Sequence, residues 1–209
     1  MNPNMSRLVL TTHITFSAGW LGAVVVFLAL AITGITSQDT LLAHSAYLAM
    51  ELSAWFVIIP FCLASLITGI VQALGTKWGL FKRYWIIVKL FLTLVSTVVL
   101  LLHMQPISHL GALASDLSSS KILQSNFRIQ VIAEAGAAIL VLLAATTISV
   151  YKPWGKTKFG QDEKIQKLNT QEKTVQTKKT LKFYMIFGLI SLILIFILMH
   201  LLGGGMGRH

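Results

Sequence analysis

Residues 84–103 read YWIIVKLFLTLVSTVVLLLH, an apolar run whose only charged side chain is Lys89. A helix of that length reaches about 30 Å at 1.5 Å per residue, the thickness of a bilayer's hydrocarbon core. The run is continuous, whereas a membrane β-strand alternates lipid-facing and lumen-facing residues. Four further stretches, about 8–35, 45–74, 127–150 and 183–202, share this character. The expectation is therefore all-α: a polytopic membrane helical bundle of five transmembrane helices, forming a single domain over residues 1–209. Bulk composition agrees, since 55% of the chain is apolar and only 11% charged, against about a quarter charged in soluble domains. The first stretch exceeds the apolar core of a signal peptide and runs into polar Thr36-Ser37-Gln38-Asp39. It reads as a retained span.

The net charge of +10 would suggest nucleic acid in a soluble protein, but its placement points elsewhere. Nine lysines lie between Lys152 and Lys182, and Lys77, Lys82 and Arg83 share the turn after span two. Such loops are cytoplasmic by the positive-inside rule. With Arg7 the inner side collects thirteen basic groups, while Lys121, Arg128 and Arg208 make three outside. The N terminus is expected inside, the C terminus outside, and 151–182 as a basic cytoplasmic loop of a bacterial multi-pass cell-membrane protein. Trp78, Trp85 and Trp154 fall at the inner boundary, where an indole's amphipathic ring sits well. The segment 104–126 reads as a polar outer connection. The partner expected is the lipid bilayer, with a quinone or redox partner as an option and no nucleic acid.

Ionisable groups inside a span need a partner or a purpose. His13, Glu51, Lys89 and Glu134 lie within spans, and His44, His103 and His200 lie near span ends. Lys89, Thr93, Ser96 and His103 form a polar line down span three; His13, Ser17 and Trp20 share a face of span one. Two layers follow: His13 and Lys89 with Gln72 on the inner side; His44, Glu51, His103, Glu134 and His200 on the outer side. A Glu134–Arg128 pair is a purely structural alternative, and Lys89 could simply snorkel to the headgroups. The single cysteine, Cys62, permits no internal disulfide and reads as a small core side chain.

Imidazole ligates haem iron and copper, and thioether sulfur suits Cu(I). The sequence places Met104 beside His103 and Met199 beside His200. His44, His103, His200, Met104 and Met199 are thus candidate metal ligands. His13, His44, Lys89, His103 and His200 are candidate cofactor-binding residues, and Glu51 and Glu134 candidate intramembrane acids. The leading expectation is a protein that binds haem b or copper and acts in redox chemistry or metal handling. Two alternatives stand beside it: a non-enzymatic scaffold or accessory subunit, and a proton- or ion-coupled transporter using Glu51 and Glu134. No Walker loop, dinucleotide fingerprint, nucleophile elbow or His-Glu-x-x-His motif occurs.

Several segments carry two family resemblances. The run Gly69-Ile70-Val71-Gln72-Ala73-Leu74-Gly75-Thr76-Lys77-Trp78-Gly79-Leu80-Phe81, with Tyr84-Trp85, Tyr151-Lys152-Pro153-Trp154-Gly155 and the Gly-Met-Gly tail, resembles an uncharacterised family of bacterial predicted integral membrane proteins. His13 through Trp20-Leu21-Gly22, together with Lys89-Leu90, is similar to the CopD-like and HemJ-like membrane proteins. That second resemblance implies copper uptake for the first group and haem-binding protoporphyrinogen oxidation for the second. It also implies that His13 and Lys89 are the functional pair. The second loop and the fifth span depart from the HemJ pattern.

Overall fold

The computed structural model describes residues 2–75, 81–115, 127–155 and 157. Four helices arise: α1 (Pro3–Thr36), α2 (Thr40–Gly75), α3 (Tyr84–Ala114) and α4 (Phe127–Tyr151). All four are long and apolar enough to cross a membrane, and the described residues hold no β-strand. The expected fifth span, 183–202, lies outside the described residues, as does most of the basic loop.

The apolar side chains face outward. In the most apolar window of each helix only 17–33% of residues are buried, and Leu8, Phe56, Leu102 and Val150 lie on the exterior. A soluble bundle hides its apolar stripe inside; an apolar exterior calls for lipid as solvent and marks a multi-pass membrane protein. Each helix packs on two neighbours: α1 on α2 and α4, and α3 on α2 and α4. The four form a closed ring with antiparallel neighbours. Its core runs through Trp20, Phe27, Tyr47, Met50, Leu110 and Val131. A second cluster of Leu92, Val141, Ala145, Ile148 and Trp154 lies toward the other end.

Local chemistry sets the helix ends, and they fall beyond the hydropathy limits. Asn2 caps α1 ahead of Pro3, which fits the first turn because its missing N–H has no helical partner there. Asp39 Oδ1 accepts from the amide of Leu41 at 2.9 Å, so α2 starts at Thr40 rather than near 45. α3 continues from the expected end at His103 to Ala114, with Pro106 inside it. The sequence reading placed a polar connection from Met104; the helix instead persists because Ile107, Leu110, Gly111 and Ala114 still face the core. Membrane helices tolerate such a proline where neighbours pack against it.

α2 carries a π-turn at Ala54–Ile58, with the Ile59 amide reaching back to the Ala54 carbonyl. Pro60 follows directly. Its ring crowds the preceding turn and it brings no amide, so widening that turn by one residue relieves both defects.

The two ends of the ring are tied differently. At one end Thr157 bridges the turns: its amide donates to Lys82 O at 3.0 Å and its hydroxyl to Phe81 O at 2.6 Å. At the other end Arg128 donates to Tyr47 Oη at 2.8 Å and to the carbonyls of Gly34 and Ile35 at 3.4 and 3.2 Å. Those carbonyls are the unpaired last acceptors of α1, where a cation is favoured. Gly34 makes room for this: a Cβ there would meet Tyr47 Cζ at 2.7 Å.

Candidate functional site

α3 organises the interior. Lys89, Ser96 and His103 are seven residues apart, so they share a face and span about 21 Å along the axis. Around this file the structure gathers two polar clusters, one near each end of the ring.

The inner cluster joins three helices. His13 of α1 lies between the Ser65 carbonyl of α2, 3.0 Å from Nδ1, and Lys89 Nζ of α3, 3.1 Å from Nε2. A carbonyl only accepts, so Nδ1 carries the proton and Nε2 accepts from the ammonium. Thr68 Oγ1 lies 3.1 Å from the same Nδ1, and Ser17 and Ser65 hydroxyls meet at 2.7 Å. Lys89 also donates to Ser149 Oγ of α4 at 3.2 Å. Gly69 lets the His13 ring lie against α2, since a Cβ there would approach Cε1 to 3.1 Å. The sequence paired His13 with Lys89; Ser149 and Ser65 close the cluster and were missed, because a serine near a span end gives no pattern of its own.

Midway along the file, Cys62 Sγ of α2 lies 3.1 Å from Thr97 Oγ1. That bond, in a fully buried setting, accords with a small core side chain.

The outer cluster centres on His103 and Glu134, which form an ion pair with side chains only 6% and 14% exposed. His103 Nδ1 donates to Val99 O, one turn back on its own helix, at 2.7 Å. Nε2 therefore faces the Glu134 carboxylate across a contact that holds one proton. The proton resides on the imidazole or on the carboxyl, and the pair is net neutral either way. Gln130 Nε2 donates to the same carboxylate oxygen at 2.8 Å. The suggested Glu134–Arg128 pair does not form, because Arg128 turns outward to Tyr47 and the end of α1.

A cavity of about 60 Å³ opens beside this pair. Trp20 and Phe27 of α1, Ile58 of α2, and Ser96, His103 and Glu134 are among its walls. Its wall is mostly apolar, with Ser96, His103 and Glu134 as the polar members. Ser96 Oγ is buried in that wall with no hydrogen-bond partner among the described residues, an atom that asks for one.

The remaining candidates lie apart. His44 is buried at the outer end, 2.9 Å from the Ala114 carbonyl. Ala114 is eleven residues beyond His103, about 16 Å along α3, so the two imidazoles do not share a depth. Glu51 packs its carboxylate directly onto Gly111, leaving no room for a Cβ there. It lies in the α2–α3 seam, one turn from the Trp55–Ser108 bond of 3.1 Å. Met104 is buried, a helical step of about 100° away from His103. His200 and Met199 lie outside the described residues.

Among the described residues no three of His, Cys, Asp and Glu come together as a metal's ligands. Both nitrogens of His13 and of His103 are engaged by protein atoms, so neither offers haem iron a lone pair as arranged. No family model matches the chain, and no curated protein or solved structure matches it.

Proposed function

We propose that this chain is a proton-handling, multi-pass protein of a bacterial cell membrane, with His103 and Glu134 as its proton-holding station. One observation carries this: a His103–Glu134 ion pair lies in the wall of a cavity between helices long and apolar enough to cross a membrane. Ionisable groups at such depth characteristically mark proton relays and ion pathways. The Ser96 hydroxyl extends the station toward the middle of the bundle, and Lys89 with His13 continues the same file of α3 toward the other end. In this account the chain crosses five times, N terminus inside, with Lys82, Arg83 and the 151–182 loop facing the cytoplasm. The inner cluster then lies on the cytoplasmic side and the His103–Glu134 pair toward the outside.

The test is proton flux in proteoliposomes carrying an internal pH-sensitive dye, with valinomycin setting the potential. Wild type should acidify or alkalinise the lumen in step with the imposed gradient, and Glu134→Gln should lose most of that flux. Flux equal to empty liposomes would remove the proposal.

A redox role keeps one specific support. The two residues that match the HemJ-like pattern, His13 and Lys89, lie side by side at 3.1 Å. Haem ligation at His13 would require Lys89 to release Nε2. An absorbance spectrum with metal analysis, on protein purified from haem- and copper-replete cells, tests it. A Soret band lost in His13→Ala would favour this role over proton transfer.

A further inference from the structure

Among the described residues no carboxylate lies beside Lys89. Its two described partners, His13 Nε2 and Ser149 Oγ, are both neutral acceptors. An ammonium has three donors, so one N–H remains for something else. The described carboxylates are all remote. Glu134 precedes Ser149 by fifteen residues on α4 and Glu51 precedes Ser65 by fourteen along α2, about 20 Å in each case, and Asp39 lies farther still at the opposite end of α2. The His13 tautomer, fixed by the Ser65 carbonyl, presents a lone pair to Lys89 Nζ.

Position makes the charge reachable. Lys89 lies six residues past Arg83, the N-cap of α3, about 9 Å below that helix end. A helical side chain leans toward its own N terminus, which here is the same end. Ser149 lies two residues before the last residue of α4. The end itself carries Lys82, Arg83 and Lys152, the last with its Nζ 5.9 Å from the centre of the Trp85 ring. A basic mouth above a half-buried ammonium draws anions inward.

We infer that Lys89, positioned by His13 and Ser149, binds an oxyanion entering from the basic end of the bundle, either a free phosphate or the phosphate of an anionic lipid headgroup. The oxyanion takes the third N–H and supplies the missing negative charge. This site is independent of proton exchange at His103, so loss of flux in Glu134→Gln leaves it untouched.

The experiment uses the full chain. Thermal midpoints are recorded in neutral detergent against inorganic phosphate at constant ionic strength, and in nanodiscs of phosphatidylcholine with or without phosphatidylglycerol. A saturable upward shift with phosphate identifies a free anion, and a shift only with phosphatidylglycerol identifies a lipid headgroup. In either case Lys89→Gln should weaken binding at least tenfold, Lys89→Arg should keep it, and the control Gln38→Ala, an exposed position at the opposite end of the bundle, should leave it within twofold. Ser149→Asp covers the possibility that Lys89→Gln does not fold. It sets a carboxylate beside the ammonium, and should raise the midpoint without probe while abolishing the response to it. No saturable shift with either probe, or an unchanged shift in Lys89→Gln or Ser149→Asp, overturns the inference.

Discussion

The two polar clusters of the bundle solve the same problem in opposite ways. At the outer one a histidine meets a carboxylate, so charge is cancelled within the protein and a proton is held between the partners. At the inner one a histidine meets a lysine, so hydrogen bonds are made but no described residue supplies the opposite charge. The two sites lie at similar depth, Glu134 seven residues inside α4 and Lys89 six past the N-cap of α3, so the difference lies in the partners. The His103–Glu134 pair lies beside an interior cavity where an uncompensated ion would cost several kcal/mol. Lys89 lies about 9 Å from a helix end, where its stem can bury while its head nears water or headgroups. The carboxylate beside the cavity completes a neutral pair, whereas the described partners of Lys89 are both uncharged acceptors.

That contrast can be broken by mutation. Glu134→Ala should be the most damaging substitution, lowering stability by about 3 kcal/mol because it strands His103 and Gln130 in the interior. A double-mutant cycle with His103→Leu sharpens the point, since the pair of substitutions should cost much less than the sum. The readout is the unfolding midpoint in mild detergent titrated with SDS.

Gly111→Ala comes next, at about 2 kcal/mol, since the new Cβ overlaps the Glu51 carboxylate. Adding Glu51→Ala should recover most of that loss in the same titration, whereas full additivity would mean the two do not touch.

Lys89→Met should cost only about 1 kcal/mol. It removes hydrogen bonds from His13 and Ser149 but leaves no stranded ion. A loss as large as that of Glu134→Ala would erase the distinction between the two sites. The smallest effect belongs to Gly136→Ala, where nothing lies within 4 Å of an added Cβ. It should be neutral or slightly stabilising, given alanine's advantage inside a helix.

Much of this was legible in the sequence. Four apolar runs became four helices because hydropathy alone reports solvent preference, and the 89/96/103 spacing on α3 pointed to one shared face. His13 and Lys89 were placed in one layer by counting turns from the helix ends, and they meet. Other features depend on tertiary geometry that spacing does not carry. The polar segment from Met104 read as a connection, but the packing of Leu110 and Ala114 carried α3 onward through Pro106. Arg128 offered itself as a partner for Glu134 six residues away, yet Tyr47 and the last carbonyls of α1 compete for it successfully. His44 and His103 both lay toward one side of the membrane in the count. Helix α3 extends far enough past His103 to set them about 16 Å apart in depth.

The central claim is that the His103–Glu134 contact exchanges its proton through the interior of the bundle. The most direct test compares wild type with Glu134→Gln for proton flux in liposomes, at matched protein content and confirmed folding. The account predicts a potential-driven flux in wild type that falls at least tenfold in the variant. Equal flux in the two proteins, well above that of empty liposomes, would contradict it.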